Sequence, residues 1–118
     1  MTDTPSDQPL DPDTLAAEGF IRVASRAAIR PMLPLRVELP QRAILLCLDG
    51  DTVRAVDEMC PHNHKPMGFA LVHEGRITCP HHQYVFELET GRCVNRRRCL
   101  PVETFDVRVV GDDVYVRG

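Results

Sequence analysis

Cys60-Pro61-His62 and, after a run of 16 residues, Cys79-Pro80-His81-His82 place a thiol and at least one imidazole in each of two short stretches. A thiolate is a soft, anionic metal ligand, and a neutral imidazole suits iron or zinc. Two mixed pairs of this kind fit a two-iron, two-sulfide cluster in which two cysteines hold one iron and two histidines hold the other. A single structural zinc is the competing chemistry. It needs four donors converging on one atom at about 2.0–2.3 Å, and it usually separates paired ligands by two or more residues. Cys60 and His62 have one residue between them. In an extended turn both side chains leave the same side of the chain, which suits two metal centres better than one. A zinc-stabilised interaction module is therefore the weaker reading.

The other reactive groups are less informative. Cys47 lies inside Ala43-Ile44-Leu45-Leu46-Cys47-Leu48 and reads as a core thiol. Cys93 and Cys99 flank Arg96-Arg97-Arg98. Free thiols are the expectation there, with a cross-loop disulfide or a second metal site as the alternative. The chain has no Ser-His-Asp logic, no phosphate loop and no G-x-G-x-x-G. If four ligands saturate the cluster, no position is open to substrate, and the expected function is one-electron transfer without catalysis.

The elements that must position these groups read as short strands with turn signals between them. Gly19 to Val23 is an expected first strand, followed by an irregular connection from Ser25 to Pro34. Leu35 to Leu39 alternates apolar and charged residues, as a half-buried strand does. Arg42 to Leu48 and Thr52 to Val56 flank Asp49-Gly50-Asp51 and make a hairpin. Glu74-Gly75 turns the chain between the two ligand stretches. Tyr84 to Leu88 leaves the second stretch, Thr90-Gly91 turns again, and Arg92 to Cys99 is a basic loop. Val102 to Val110 and Val114 to Arg117 form a last hairpin. The pattern predicts an all-β sandwich or barrel, with a small cluster-binding subdomain inserted between Val56 and Gly91 (loops about 57–91).

At 118 residues the chain is one domain. Residues 1–18, rich in Pro, Asp and Thr, read as a disordered acidic tail, with a short helical turn at 13–18 capped by Asp13. The body is then residues 19–118. The net charge is −3. Asp3, Asp7, Asp11, Asp13 and Glu18 carry five of the 17 acids, which leaves 12 acids against 14 bases in the body. Scattered arginines without interleaved aromatics do not suggest nucleic-acid binding. No apolar run approaches the ~20 residues of a membrane span, and no secretory signal is visible. Five cysteines without an export signal suit a reducing cytoplasm.

The pattern C-x-H-x16-C-x-x-H resembles the Rieske family. The likeness runs from about Gly19 through Met67 to the ending Leu100-Pro101…Phe105 to Val109…Gly111 to Val116. It implies an antiparallel Rieske-like fold and a 2Fe-2S cluster held by Cys60, His62, Cys79 and His82. His64 and His81 are then solvated neighbours. The resemblance is greatest to the small ferredoxins of bacterial oxygenases. It implies a monomer that accepts electrons from a flavin-dependent reductase and passes them to a terminal oxygenase. The alternative is a Rieske-like small subunit of an NAD(P)H-dependent nitrite reductase or similar complex. Met67 stands where the family shields the cluster, and the imidazole edges of His62 and His82 are expected at the surface. Two positions depart from the family: Gln83 and His64 stand where Gly is usual, which puts the loop backbone in question. High-potential members have a Ser and a Tyr two and four residues after the second histidine; here those positions are Tyr84 and Phe86. Their inter-loop disulfide would fall on Lys65 and His81 and cannot form. Lys65, Arg92 and Arg96 to Arg98 are candidate docking charges.

Overall fold

A computed structural model of the chain describes residues 11–62, 64–81 and 83–117. Two sheets account for its regular structure. A six-stranded antiparallel sheet runs in the order β1 (Ile21–Ser25), β9 (Asp113–Arg117), β8 (Thr104–Val110), β4 (Thr52–Asp57), β3 (Ala43–Asp49), β2 (Leu35–Glu38). It curls into a nearly closed barrel, as an all-β reading requires. A three-stranded sheet of β5 (Leu71–His73), β6 (Arg76–Thr78) and β7 (Val85–Glu87) forms from the segment between β4 and β8.

Strands β3 and β4 are buried on both faces, and this places the small sheet. Alternate side chains of a strand point to opposite faces. Ile44 and Leu46 pack with Val53, Ala55, Val114 and Val116 inside the barrel. Leu45, Cys47 and Val56 face the other way, onto Val72, Ile77 and Phe86 of the small sheet. The continuous apolar run Ile44 to Cys47 is thus the wall between two cores. Cys47 is the core thiol its neighbours implied, and burial pushes its pKa up to about 12.

The first strand begins two residues later than the sequence suggests, because a helix terminates ahead of it. Pro12–Ala17 form a short helix, α1. Its cap is Asp11, not Asp13: Asp11 Oδ1 accepts from the Asp13 amide at 3.0 Å, and Pro12 takes the first turn, where no amide partner is needed. The helix ends with Gly19 at φ +91°, while Gly19 N–H donates to Ala16 O and Phe20 N–H to Leu15 O. These two bonds and the buried Leu15–Phe20 contact make a Schellman stop. Leu15, Phe20 and Tyr115 form a satellite core, so residues 11–18 are held against the barrel. Residues 1–10, the rest of the expected tail, lie outside the described residues.

Gly91 joins the small sheet to the barrel. Its N–H donates to Glu87 O and its carbonyl accepts from Val102 N–H, both at 2.8 Å. Its φ is +79°, and a Cβ there would run into the Val102 carbonyl oxygen. Gly91→Ala is therefore expected to cost ~2 kcal/mol or more. Gly68→Ala, where a Cβ meets nothing within 4 Å and φ is not positive, is the control and stays near neutral. Denaturant midpoints of the two variants check this; equal midpoints would refute the account of the Gly91 junction.

Candidate metal centre

Cys60 and Cys79 each open a six-residue loop, and the two loops are closed by the same hydrogen bonds. The Cys60 N–H donates to Lys65 O at 2.9 Å, and the Cys60 carbonyl accepts from His64 N–H at 2.9 Å. In the second loop, Cys79 N–H donates to Tyr84 O at 2.8 Å, and its carbonyl accepts from Gln83 N–H at 3.0 Å. The fifth residue of each loop must turn left-handed to bring its amide back to the cysteine carbonyl. His64 has φ +55° and Gln83 φ +61°. These are the two positions at which glycine is usual by resemblance. The departure in residue type leaves the backbone turn in place, at the steric expense a side chain brings to positive φ.

The loops turn both thiols inward. Cys60 and Cys79 are fully buried, in one apolar cluster with Met67, Val72, Ile77, Phe86 and Leu88. The first loop is clamped on its barrel side. Glu58, the buried charged residue among the described residues, donates its N–H to Ala43 O, accepts from Met67 N–H, and pairs its carboxylate with Arg36 of β2. The second loop leads from β6 into β7, whose Phe86 lies 6.0 Å from the His62 ring.

His62 is half-buried. Its Nδ1 lies 3.9 Å from Cys60 Sγ, while its Nε2 accepts from the Leu100 amide at 2.7 Å. The Tyr84 ring stacks on it at 3.8 Å with an interplanar angle of 3°. The Arg96 guanidinium lies over the other face of that layer, 4.4 Å from the Tyr84 centroid. Burial, and then the charge of Arg96, lower the His62 pKa and favour the neutral imidazole. The His62 ring keeps partial exposure, with Tyr84 stacked on its face and the Leu100 amide at Nε2. His82 lies outside the described residues.

The neighbouring histidines, His64 and His81, are exposed. His64 sits at the tip of the first loop, and His81 Nε2 lies 3.2 Å from Pro66 O across the two loops. Met67 is fully buried within the same cluster as both cysteines, where it shields them from water. Lys65, Arg92, Arg96, Arg97 and Arg98 are exposed. The expectation of free thiols at 93 and 99 is also corrected. Cys93 and Cys99 form a disulfide with Cα atoms 5.6 Å apart, because the chain between them doubles back.

By resemblance the Arg96 to Arg98 loop is expected to fold back beside the cluster, and it does; sequence reasoning missed the residue that ties it there. That residue is Asn95: its Oδ1 accepts from Val85 N–H at 2.9 Å, and its Nδ2 donates to Gln83 O at 2.8 Å. No local signal marks an asparagine among arginines as the tie to a loop ten residues earlier. The donor set fits a two-iron cluster: two thiols shielded from water, and an imidazole nitrogen turned toward one of them.

The model for the Rieske [2Fe-2S] domain family matches residues 19–106. The ferredoxin component of biphenyl 2,3-dioxygenase from Rhodococcus jostii (strain RHA1) is 28% identical over 95 residues, covering 80% of this chain and 89% of that protein. The solved ferredoxin of carbazole 1,9a-dioxygenase from Nocardioides aromaticivorans IC177 superposes with a TM-score of 0.76 at 28% identity, over 83% of this chain and 96% of its own. An NADH-dependent nitrite reductase small subunit from Mycobacterium tuberculosis has a TM-score of 0.73 at 21% identity, over 82% of this chain and 92% of its own, and shares the fold. With its two buried cysteine loops and a family match that spans both, this chain belongs to the Rieske [2Fe-2S] domain family, and its cofactor is a Rieske-type 2Fe-2S cluster.

Proposed function

We propose that the chain is a one-electron carrier that takes electrons from a flavin-dependent reductase and delivers them to a terminal oxygenase. In this reading residues 19–118 are the Rieske domain and about 57–91 carry the cluster loops. Cys60 and Cys79 ligate one iron, and His62 and His82 the other. The observation that carries it is the matched pair of loops that buries Cys60 and Cys79 in one apolar cluster beside His62. The relative in a biphenyl dioxygenase system, matched along most of both chains, supports the choice of partners. When bound, the cluster supplies a single reversible electron. The protein's own contribution is to exclude water from the thiolates, hold His62 neutral, and set the charge around the site. No helix among the described residues is long and apolar enough to cross a membrane. Arg97 and Arg98, exposed beside the site, suit an encounter with an acidic partner surface.

A permanent small subunit of a nitrite reductase complex is the second reading. Phe69, 93% exposed, and the half-exposed Leu71 favour it, because apolar side chains in water mark contact surfaces. A native mass of one chain favours the carrier; co-purification at fixed stoichiometry with a larger flavoprotein favours the subunit.

Loss of any ligand is expected to abolish the cluster. Cys60→Ser, Cys79→Ser, His62→Ala and His82→Ala should each lose iron, acid-labile sulfide and the reduced-state EPR signal. His64→Ala and His81→Ala should retain all three. Retention of a native signal in any of the first four, or its loss in either of the last two, overturns the ligand assignment.

The reduction potential is expected near the bottom of the Rieske range, roughly −150 mV. Phe86 is fully buried beside the site and has no hydroxyl to share the added negative charge. Tyr84 is committed to stacking on His62. Phe86→Tyr should raise the potential by supplying a donor. Voltammetry checks both values, and a wild-type potential well above zero would contradict the argument.

A further inference from the structure

The Cys93–Cys99 loop touches the metal centre from outside the ligand stretches. Four residues between 93 and 100 reach it. Val94 N–H donates to Val85 O, and Asn95 bonds both Gln83 O and Val85 N–H. Arg96 lies on the Tyr84 ring, which lies on His62. Leu100 N–H donates to His62 Nε2. The disulfide closes a ring that contains Val94, Asn95 and Arg96 and ends one residue before Leu100. Arg98, one residue before Cys99, is held at φ +56°, a conformation that a non-glycine residue keeps only when its surroundings impose it. Cys93 and Cys99 are both half-buried, not enclosed.

We propose that the Cys93–Cys99 pair is a dithiol–disulfide switch that controls the cover on His62. The proposal rests on the reading of His62 as a cluster ligand. Closed, the disulfide holds Arg96 over Tyr84 and Tyr84 over His62, so a positive charge stands two layers above the ligand. Opening takes two electrons and two protons from a dithiol reductant. The S–S bond breaks, Cys93 and Cys99 become thiols, and the reductant becomes a disulfide. Arg98 is then free to leave its left-handed turn, and Arg96 loses its fixed place. The reduced cluster carries one more negative charge than the oxidised one. Withdrawing a nearby cation therefore makes reduction harder and shifts the potential to more negative values. Disulfides with an exposed face and a constrained loop are the reducible kind, and in reducing compartments such bonds serve as sensors.

The test uses the cluster-loaded full chain. Iodoacetamide labelling with mass analysis is run before and after dithiothreitol, and film voltammetry is run on wild type, Cys93→Ser/Cys99→Ser, Arg96→Gln and the triple variant. Wild type opened with the dithiol and capped with iodoacetamide stands in if the double variant fails to load. The expected result is two added labels at Cys93 and Cys99 only after the dithiol. The double variant and Arg96→Gln should each shift the potential negative, and Arg96→Gln should add less in the opened background than in the closed one. A merely structural disulfide would change thermal stability and leave the potential unmoved. Unchanged potentials, or labelling of both cysteines without reductant, overturn the switch. His62→Ala separates this from the ligand reading. A native Rieske spectrum in that variant sinks the ligand assignment, whereas cluster loss there with unmoved potentials in the loop variants sinks the switch alone.

Discussion

Two backbone hydrogen bonds per loop hold the thiols of this protein where a metal can use them. Each cysteine has both its N–H and its carbonyl tied within its own six-residue turn, which fixes the direction of its Cα–Cβ bond. The closure needs a left-handed residue four positions on, and this chain supplies His64 and Gln83. A non-glycine residue in that region costs roughly 1–2 kcal/mol. Two hydrogen bonds contribute about 1–3 kcal/mol together. Each turn is therefore close to balanced on its own, and burial of the cysteine with Met67 and Phe86 tips it toward order. Cluster binding adds to that order, since the ligand loops gain the metal only when folded.

The barrel matters to this site through a shared wall. Strand β3 gives Ile44 and Leu46 to one core and Leu45 and Cys47 to the other. A rotation of that strand by one residue would exchange the two sets, so the register with β4 that aligns Leu45 with Val56 also sets the floor under both cysteines. Gly91 completes the connection at the far side, where no side chain fits between the small sheet and Val102. The metal-binding segment is thus an insertion whose base is the outer face of the barrel.

Three segments distant in sequence meet at His62. The first loop supplies the imidazole, the second supplies Tyr84 as a lid on its face, and the third supplies Arg96 above that lid and the Leu100 amide at its edge. Water is kept from one side of the ring and a cation is held over it. Both effects favour the neutral ring, and burial is the larger. The electrostatics of His62 are therefore in part the property of a loop that contains none of the proposed ligands.

The sequence by itself determined the chemistry and the class of fold. Two Cys–His stretches are local patterns, and the donor types in them restrict the metal. Alternation in Leu35 to Leu39, the apolar run of β3 and the Asp-Gly turns likewise announce strands without reference to anything remote. Only the tertiary structure decided what lies over His62 and the second cysteine loop. Tyr84 on His62, Asn95 on Gln83 and the Cys93–Cys99 pairing join residues that local pattern cannot relate, because each depends on how the third loop folds back. The boundary of β1 was hidden for a similar reason: Gly19 reads as a strand start, yet its left-handed turn ends a helix that Leu15 anchors against Phe20 and Tyr115. At His64 and Gln83 the residue types argued against a left-handed turn, and the pair of hydrogen bonds to each cysteine overrode them.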